Sequence, residues 1–412
     1  MKVTTLKEAE FDQYASNHKY RSYYQTSTYG NTMAKFGYDV HYIGFQDDYN
    51  KLIGATLIIY KSIFMNNKVA YAPRGILFDY EDADDVGELA LTLKQSLGKQ
   101  GFMLLRMDPL IPATIRNNEG DIMNVNNEAN IIMSNLKAAG FLHKGNNLFF
   151  ETEKSRWEAL TVLNTSNDQL FKKLEKGTRH KIQKASKSGV EIYKDPKQNV
   201  EKLYDFIKKK HNRSIEYYQE LITNFKDNID VYYAVLNTEE FVINSKNNYE
   251  EEMNRNEELA SRIQVNSGGE GDVTKALNLK MDSDKLLDVY KKQLLFSTNQ
   301  LKEHPEGIVI GGAICITFDN AAFLVIEGFD QEYSTLNCNF LLKWQMMCDY
   351  NEKGCKYFNL NAVSGDFENE HKYSGLNEMK LGYNSVVTEY IGEFDIVLNN
   401  LSYNLYKGIS KK

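Results

Sequence analysis

Residues 52–60 (LIGATLIIY) and 308–318 (IVIGGAICITF) are two apolar runs of one design, and the segments after them repeat as well. Each run reads as a buried strand. The first leads to a second strand at 69–72 and the turn Pro73-Arg74-Gly75, the second through an Asp319-Asn320 turn into AAFLVIEG. Ile53-Gly54-Ala55 aligns with Ile310-Gly311-Gly312-Ala313 at an offset of about 257. An amphipathic stretch comes next in both copies, at 82–98 and 332–351. Then come a glycine and a further strand, Gly101 before FMLLRMD and Gly354 before CKYFNLN, at an offset of 253. Each copy closes on a helix-like segment and a glycine–aromatic pair, Gly140-Phe141 and Gly382-Tyr383. Such constancy predicts two copies of one α/β unit: hairpin, helix, strand, helix, final strand.

The 412 residues are enough for two or three domains. The expected division is 1–148 for the first unit, and 149–240 with 305–395 for the second. A polar insertion at 241–304 and a C-terminal helix at 396–412 complete it. In the insertion, apolar residues recur by threes, fours and sevens (Val242, Tyr249, Met253, Ala260, Ile263, then Leu287, Tyr290, Leu294, Leu301), interrupted on the stripe by Asn256 and Ser297. Ser267-Gly268-Gly269-Glu270-Gly271 breaks the pattern in the middle. Two antiparallel helices forming an arm are expected.

The longest apolar run, Ile308 to Phe318, is half the ~20 residues a membrane span needs. MKVTTLKEAEFDQY carries no apolar signal core, so no secretory signal is expected. Cys315, Cys338, Cys348 and Cys355 lack metal spacing and read as reduced thiols of a cytoplasmic protein. No His/Cys/Asp/Glu spacing suggests a metal. The net charge of −7 hides a local reversal: Lys172, Lys173, Lys176, Arg179, Lys181, Lys184 and Lys187 face one acid, Glu175, with a second cluster at Lys208, Lys209, Lys210, His211 and Arg213. Two such runs in an acidic chain point to a polyanion.

The order of elements resembles the acetyltransferase-like (GNAT-like) fold, whose members transfer acyl groups to amines. Most of them cradle coenzyme A on a loop R/Q-x-x-G-x-G/A. The nearest string, Gln95-Ser96-Leu97-Gly98-Lys99-Gln100, has glutamine where a small residue is required, so another acyl donor is expected. No nucleophile–base pair stands out either: His180, His211 and His371 are far apart, and no G-x-S-x-G occurs. An enzyme built this way works by positioning and electrostatics on an activated substrate. Three polar strings end predicted strands, Tyr71 to Gly75, Arg106 to Pro109 and Ala362 to Phe367, where α/β proteins bind ligands.

Taken together, APRG at 72–75 with Asp79-Tyr80, Arg106-x-Asp108-Pro109, FKKLEKGTRHKIQKASKSGVEI at 171–192, the helical arm, and FNLNAVSGDF at 358–367 with EYIGEF at 389–394 resemble the Fem family over essentially the whole chain. The resemblance implies two GNAT-like domains with a coiled-coil arm inserted in the second. It implies transfer of an amino acid (glycine, alanine or serine) from aminoacyl-tRNA to the stem-peptide amine of a peptidoglycan precursor, lipid II or UDP-MurNAc-pentapeptide, with no cofactor. Asp108, Arg213 and Tyr217 match the family's precursor site, the last two as a pair on one helix; Arg74 and Lys35 join it. Lys380, before Leu381-Gly382-Tyr383, matches the lysine that steadies the transition state, with Met379 where the family usually has phenylalanine and Ile76 where proline is common. The basic segment, Lys172 to Lys187, would lie along tRNA. The family also implies a cytoplasmic protein at the inner face of the plasma membrane, and leaves open a homodimer or a paralogue partner. Competing readings are a coenzyme-A-dependent tandem acetyltransferase and an inactive scaffold.

Overall fold

The computed structural model describes residues 1–63, 67–209, 212–265, 270–368 and 370–404. The chain begins with β1 (Lys2–Thr5), α1 (Glu8–Asn17), α2 (Ser27–Lys35), β2 (Asp39–Gln46), β3 (Leu52–Ser62), β4 (Lys68–Ala72), α3 (Ala83–Ser96) and β5 (Phe102–Met107). A hairpin, β6 (Pro112–Arg116) and β7 (Ile122–Val125), precedes α4 (Asn127–Ala138) and β8 (Phe141–His143). The second half runs β9 (Trp157–Val162), α5 (Asn167–Lys173), α6 (Lys176–Lys187), β10 (Val190–Lys194), α7 (Glu201–Ile207), α8 (Ile215–Phe225) and β11 (Ile229–Leu236). Two long helices come next, α9 (Thr238–Val265) and α10 (Glu270–Glu303). The chain then returns through β12 (Ile308–Phe318), β13 (Ala321–Phe329), α11 (Cys338–Glu352), β14 (Tyr357–Ala362), α12 (Ser374–Leu381), β15 (Val386–Tyr390) and β16 (Phe394–Val397).

The strands form two sheets, β1-β2-β3-β4-β5-β16-β8 and β10-β11-β12-β13-β14-β9-β15-β6-β7. The first seven places of each match one for one. In both, a helix (α3 or α11) crosses over between two parallel neighbours, β4 with β5 and β13 with β14.

The sheets divide at 148/149, where β8 ends the first and β9 enters the second, but not at 395/396. β9, which follows β8, leaves for the second sheet and sits between β14 and β15. β16, which follows β15, returns to sit between β5 and β8. Counted by the repeat, in which β9 follows β8 as β16 follows β15, each copy places its last strand in the other's sheet. The β6–β7 hairpin also crosses over, extending the second sheet beyond β15. The expected C-terminal helix starts only at Asn400, since 396 and 397 lie in β16; residues 405–412 lie outside the described residues. Sequence patterning misses the exchange because a strand buried on both faces reads the same in either sheet.

A shared core explains the two apolar runs. Along β3, Ile58 and Tyr60 point into the first unit's core while Leu57 and Ile59 point into a core between the sheets. Along β12, Ala313 and Cys315 face the second unit's core while Ile314 and Ile316 face that same middle core. Neither strand has a wet face, so neither alternates.

The insertion leaves between β11 and β12. Contacts of Asn256 with Asp284 and of Thr238 with the His304 carbonyl set α9 and α10 antiparallel. Its seam runs one residue away from the expected stripe on α9, through Phe241, Ser245, Glu252 and Leu259, leaving Met253 exposed. Phe241 decides this by docking under Phe296 at the arm's base. Of the breaker at 267–271, residues 267–269 lie outside the described residues, and Glu270 and Gly271 begin α10.

Candidate active site

β4 and β5 are parallel, so their C-terminal ends bring Tyr71, Arg74 and Asp108 together. Asp108 is buried, and both its carboxylate oxygens are engaged. Oδ1 accepts the Arg74 backbone N–H at 2.7 Å, and Oδ2 accepts the Tyr71 hydroxyl at 2.9 Å and lies 3.6 Å from the Arg74 guanidinium. Burial pushes this carboxyl above the usual range against the pull of Arg74. Arg74 is equally enclosed. It donates to the Ser155 carbonyl at 2.9 Å, pairs with Glu158 of β9, and lies over the Tyr390 ring of β15. Asp108 and Arg74 are therefore a buried clamp between the two sheets. Glu158 carries the track onward, accepting from Asn359 at 2.8 Å and from Tyr390 at 3.4 Å. Glu158 carries no motif in the sequence; only the exchange of β9 puts it there.

The track ends at an opening. In the first sheet β4 and β5 stay paired along their whole length, Lys68 with Phe102 through Ala72 with Met107. In the second sheet β13 and β14 pair only from Ala321/Tyr357 to Phe323/Asn359 and then part. Asn361, at φ +66°, spans the gap where backbone pairing stops, donating from its side chain to the Leu324 carbonyl at 3.2 Å. Ala362, at the parted end of β14, accepts a hydrogen bond from Lys380 Nζ at 2.8 Å. Glu327, on the parted half of β13, pairs with the fully buried Lys343. Burial brings the Lys380 amine down to about 8, while Glu327 pulls it back up. Lys380 is thus a buried amine with one hydrogen bond, at the mouth of the molecule's one splayed parallel pair among the described residues. The string Gln95 to Gln100 falls at the C-terminal end of α3, where carbonyls project, which is the wrong pole for an anion.

α6 docks against this opening. A Cβ on Gly382 would meet Thr178 Oγ1 at 2.0 Å, so only glycine lets the helix come so close, and Glu175 N–H donates to the Gly382 carbonyl at 2.9 Å. Lys172, Lys173, Lys176, Lys184 and Lys187 are exposed. Arg179 and Lys181 are turned inward. Arg179 donates to the Lys172 carbonyl at 2.8 Å and to that of Leu174. Lys181 pairs with Glu378 and lies over Phe340. Met379 accepts a hydrogen bond from Asn339 at 3.1 Å.

Arg213 and Tyr217 are not a pair on one helix. Arg213 precedes the cap of α8, and its guanidinium lies 4.0 Å over the Tyr217 ring. α2 packs on α8, so Lys35, exposed in the last turn of α2, neighbours Phe36, whose ring is 5.6 Å from Tyr217. Lys210 and His211 of the second basic cluster lie outside the described residues; Lys208 pairs with Asp205. Among the described residues no cluster of His, Cys, Asp or Glu could hold a metal ion, and no helix is long and apolar enough to cross a membrane.

Two sheets that share the order of their first seven strands, one closed and one opened beside a buried lysine, define an α/β protein with a splayed parallel pair in its second unit. A model of the FemAB family matches residues 6–411, and the chain belongs to that family. The aminoacyltransferase FemA of Staphylococcus epidermidis is 24% identical over 423 residues, covering 100% of this chain and 99% of that protein. FemA of Staphylococcus aureus is 24% identical over 431 residues with the same coverage. The crystal structure of FemX shares the fold, with a TM-score of 0.71 and 19% identity over 98% of this chain and 99% of that one.

Proposed function

We propose that this chain is an aminoacyltransferase that takes glycine, alanine or serine from aminoacyl-tRNA and adds it to the stem-peptide amine of a peptidoglycan precursor, building the interpeptide bridge. The two sheets are read as two acetyltransferase-like domains that exchange their final strands, and α9–α10 as the coiled-coil arm. The observation that carries the proposal is the splay between β13 and β14, with Lys380 at its mouth and the basic helix α6 against it. The 3′ end of tRNA enters the splay while its phosphates lie on Lys172, Lys173, Lys176, Lys184 and Lys187. The precursor approaches from the first unit past Arg213, Tyr217 and Lys35, which hold its phosphates; Asp108 and Arg74 hold the wall between the two substrates.

The donor is an ester, already activated, so no covalent enzyme intermediate is needed. The amine nitrogen attacks the ester carbonyl, the C–N bond forms, the C–O bond breaks, and the ribose oxygen leaves with a proton. Lys380 in its ammonium form faces the tetrahedral oxyanion, where burial makes a single charge effective. On the long arm and the size of the chain, lipid II is the favoured acceptor over UDP-MurNAc-pentapeptide, and with it a protein working at the inner face of the plasma membrane. The test is transfer of labelled amino acids from charged tRNA to each of these acceptors, beside Lys380→Ala. Label on one acceptor that vanishes in the variant supports the reading. Transfer at the wild-type rate in Lys380→Ala removes the role given to the splay.

A further inference from the structure

Between the clamp and the splay lies a crevice with room for about one water, ≈ 20 Å³. Its walls come from both halves of the molecule: Tyr23 and Tyr24 from the segment before α2, Arg74 after β4, Glu158 on β9, and Asn359 and Asn361 on the opening of β14. Tyr24 is half-buried, and its surroundings are specific. Its ring stacks on Tyr23 at 4.1 Å and meets Tyr29 edge-on at 5.0 Å. The ammonium of Lys154, from the segment joining the two halves, sits 3.9 Å over the Tyr24 ring. Neither Tyr24 nor Lys154 belongs to a recognisable string of the sequence, and the transfer leaves one proton without a protein acceptor.

We infer that Tyr24 is the proton shuttle of the transfer, a catalytic residue at the crevice where the two substrates meet, and that Lys154 is its positioning residue. This rests on the proposed aminoacyl transfer. As the stem-peptide amine attacks, its proton passes to the Tyr24 oxygen, whose phenolate form the Lys154 ammonium stabilises. The resulting hydroxyl then gives that proton to the departing ribose oxygen, so Tyr24 ends as it began. The groups facing Tyr24 are Tyr23 on its own segment, Tyr29 on α2, Arg74 after β4, Lys154 between the halves, Glu158 on β9, and Arg213 and Tyr217 at α8. Burial works to raise the Tyr24 hydroxyl. The charge of Lys154 and hydrogen bonds from Tyr23 and Lys154 outweigh it and hold the group below an ordinary tyrosine, while buried Tyr23 is pushed up. Lowering the phenol in this way makes its oxygen easier to hold unprotonated, as a shuttle requires.

The experiment measures transfer from charged tRNA to the precursor as a function of pH for wild type, Tyr24→Phe, Lys154→Ala and Lys154→Arg. Tyrosinate absorbance is titrated on the same four proteins. Tyr24→Phe is expected to lower kcat by about 10²–10⁴-fold with KM for both substrates unchanged. Lys154→Ala should move the acidic limb of the profile to higher pH, and Lys154→Arg should restore it. The absorbance should show one early-titrating tyrosine that Tyr24→Phe removes and Lys154→Ala delays. Wild-type kcat and pH profile in Tyr24→Phe overturn the inference alone, as does an early tyrosine that survives that substitution. No transfer by the wild-type chain to any acceptor overturns the functional reading and the shuttle with it.

Discussion

Lys380 shows what a site costs the fold. Its amine sits at about 8 against an ordinary ~10.4, because burial disfavours the charged form. The folded state therefore binds protons more weakly than the unfolded chain. The penalty is fully present below about pH 8 and disappears as pH rises through the ordinary lysine value. Lys380→Met is expected to abolish transfer and to stabilise the fold at neutral pH by about 1–3 kcal/mol, less the missing bond to Ala362. That gain should shrink in denaturation curves taken at progressively higher pH between 8 and 10; a variant less stable at pH 7 would mean the charge is already matched. Burial disfavours the charged form of Asp108 as well, but removing that charge strands another buried one. Asp108→Asn leaves buried Arg74 with Glu158 as its one carboxylate, and about 2–4 kcal/mol of stability is expected to be lost in urea. The sequence marks Asp108, Arg74 and Lys380 as chemistry, and all three lie on one track. It does not tell that the first two face each other, because that depends on two parallel strands ending level.

At the scale of elements, α6 separates what a charge pattern says from what a helix presents. By pattern, all seven basic residues of 172–187 are candidates for tRNA. Arg179 and Lys181 of α6 turn inward, while Lys176, Lys184 and Lys187 of α6 and Lys172 and Lys173 of α5 stay exposed. Replacing Lys172, Lys184 and Lys187 by alanine should therefore flatten the salt dependence of tRNA binding, by about 0.7–0.9 in log–log slope for each phosphate no longer neutralised. Lys181→Ala should leave that slope alone, since its ammonium is tied to Glu378; binding isotherms at several salt concentrations decide. The hairpin–helix–strand repeat is legible because its signals are local: apolar runs, glycines and amphipathic periods. The parting of β13 from β14 is not, since the same apolar composition serves a closed pair in the first sheet.

Across the whole molecule the exchange of β9 and β16 makes the two halves one folding unit. A fragment ending at residue 148 lacks the strand that separates β5 from β8 and so leaves two strand edges unpaired. It is expected to be unfolded or aggregated, while the intact chain unfolds in a single transition by circular dichroism and by intrinsic fluorescence. A folded, monomeric 1–148 fragment would contradict this. The middle core adds to the coupling, since β3 gives it Ala55, Leu57 and Ile59 and β12 gives it Ile314 and Ile316.

What the sequence determined by itself was the inventory: two α/β repeats, an inserted helical pair, a basic helix, and the residues at strand ends that resemble one family. These arise from periodicity and local turn chemistry, which act between neighbours in the chain. What only the tertiary structure decided was who meets whom. Glu158 joins Arg74, Lys154 covers Tyr24, and one strand pair opens while its twin stays shut. These contacts are made between residues tens to hundreds of positions apart, and a strand buried on both faces carries no mark of the neighbour it will choose.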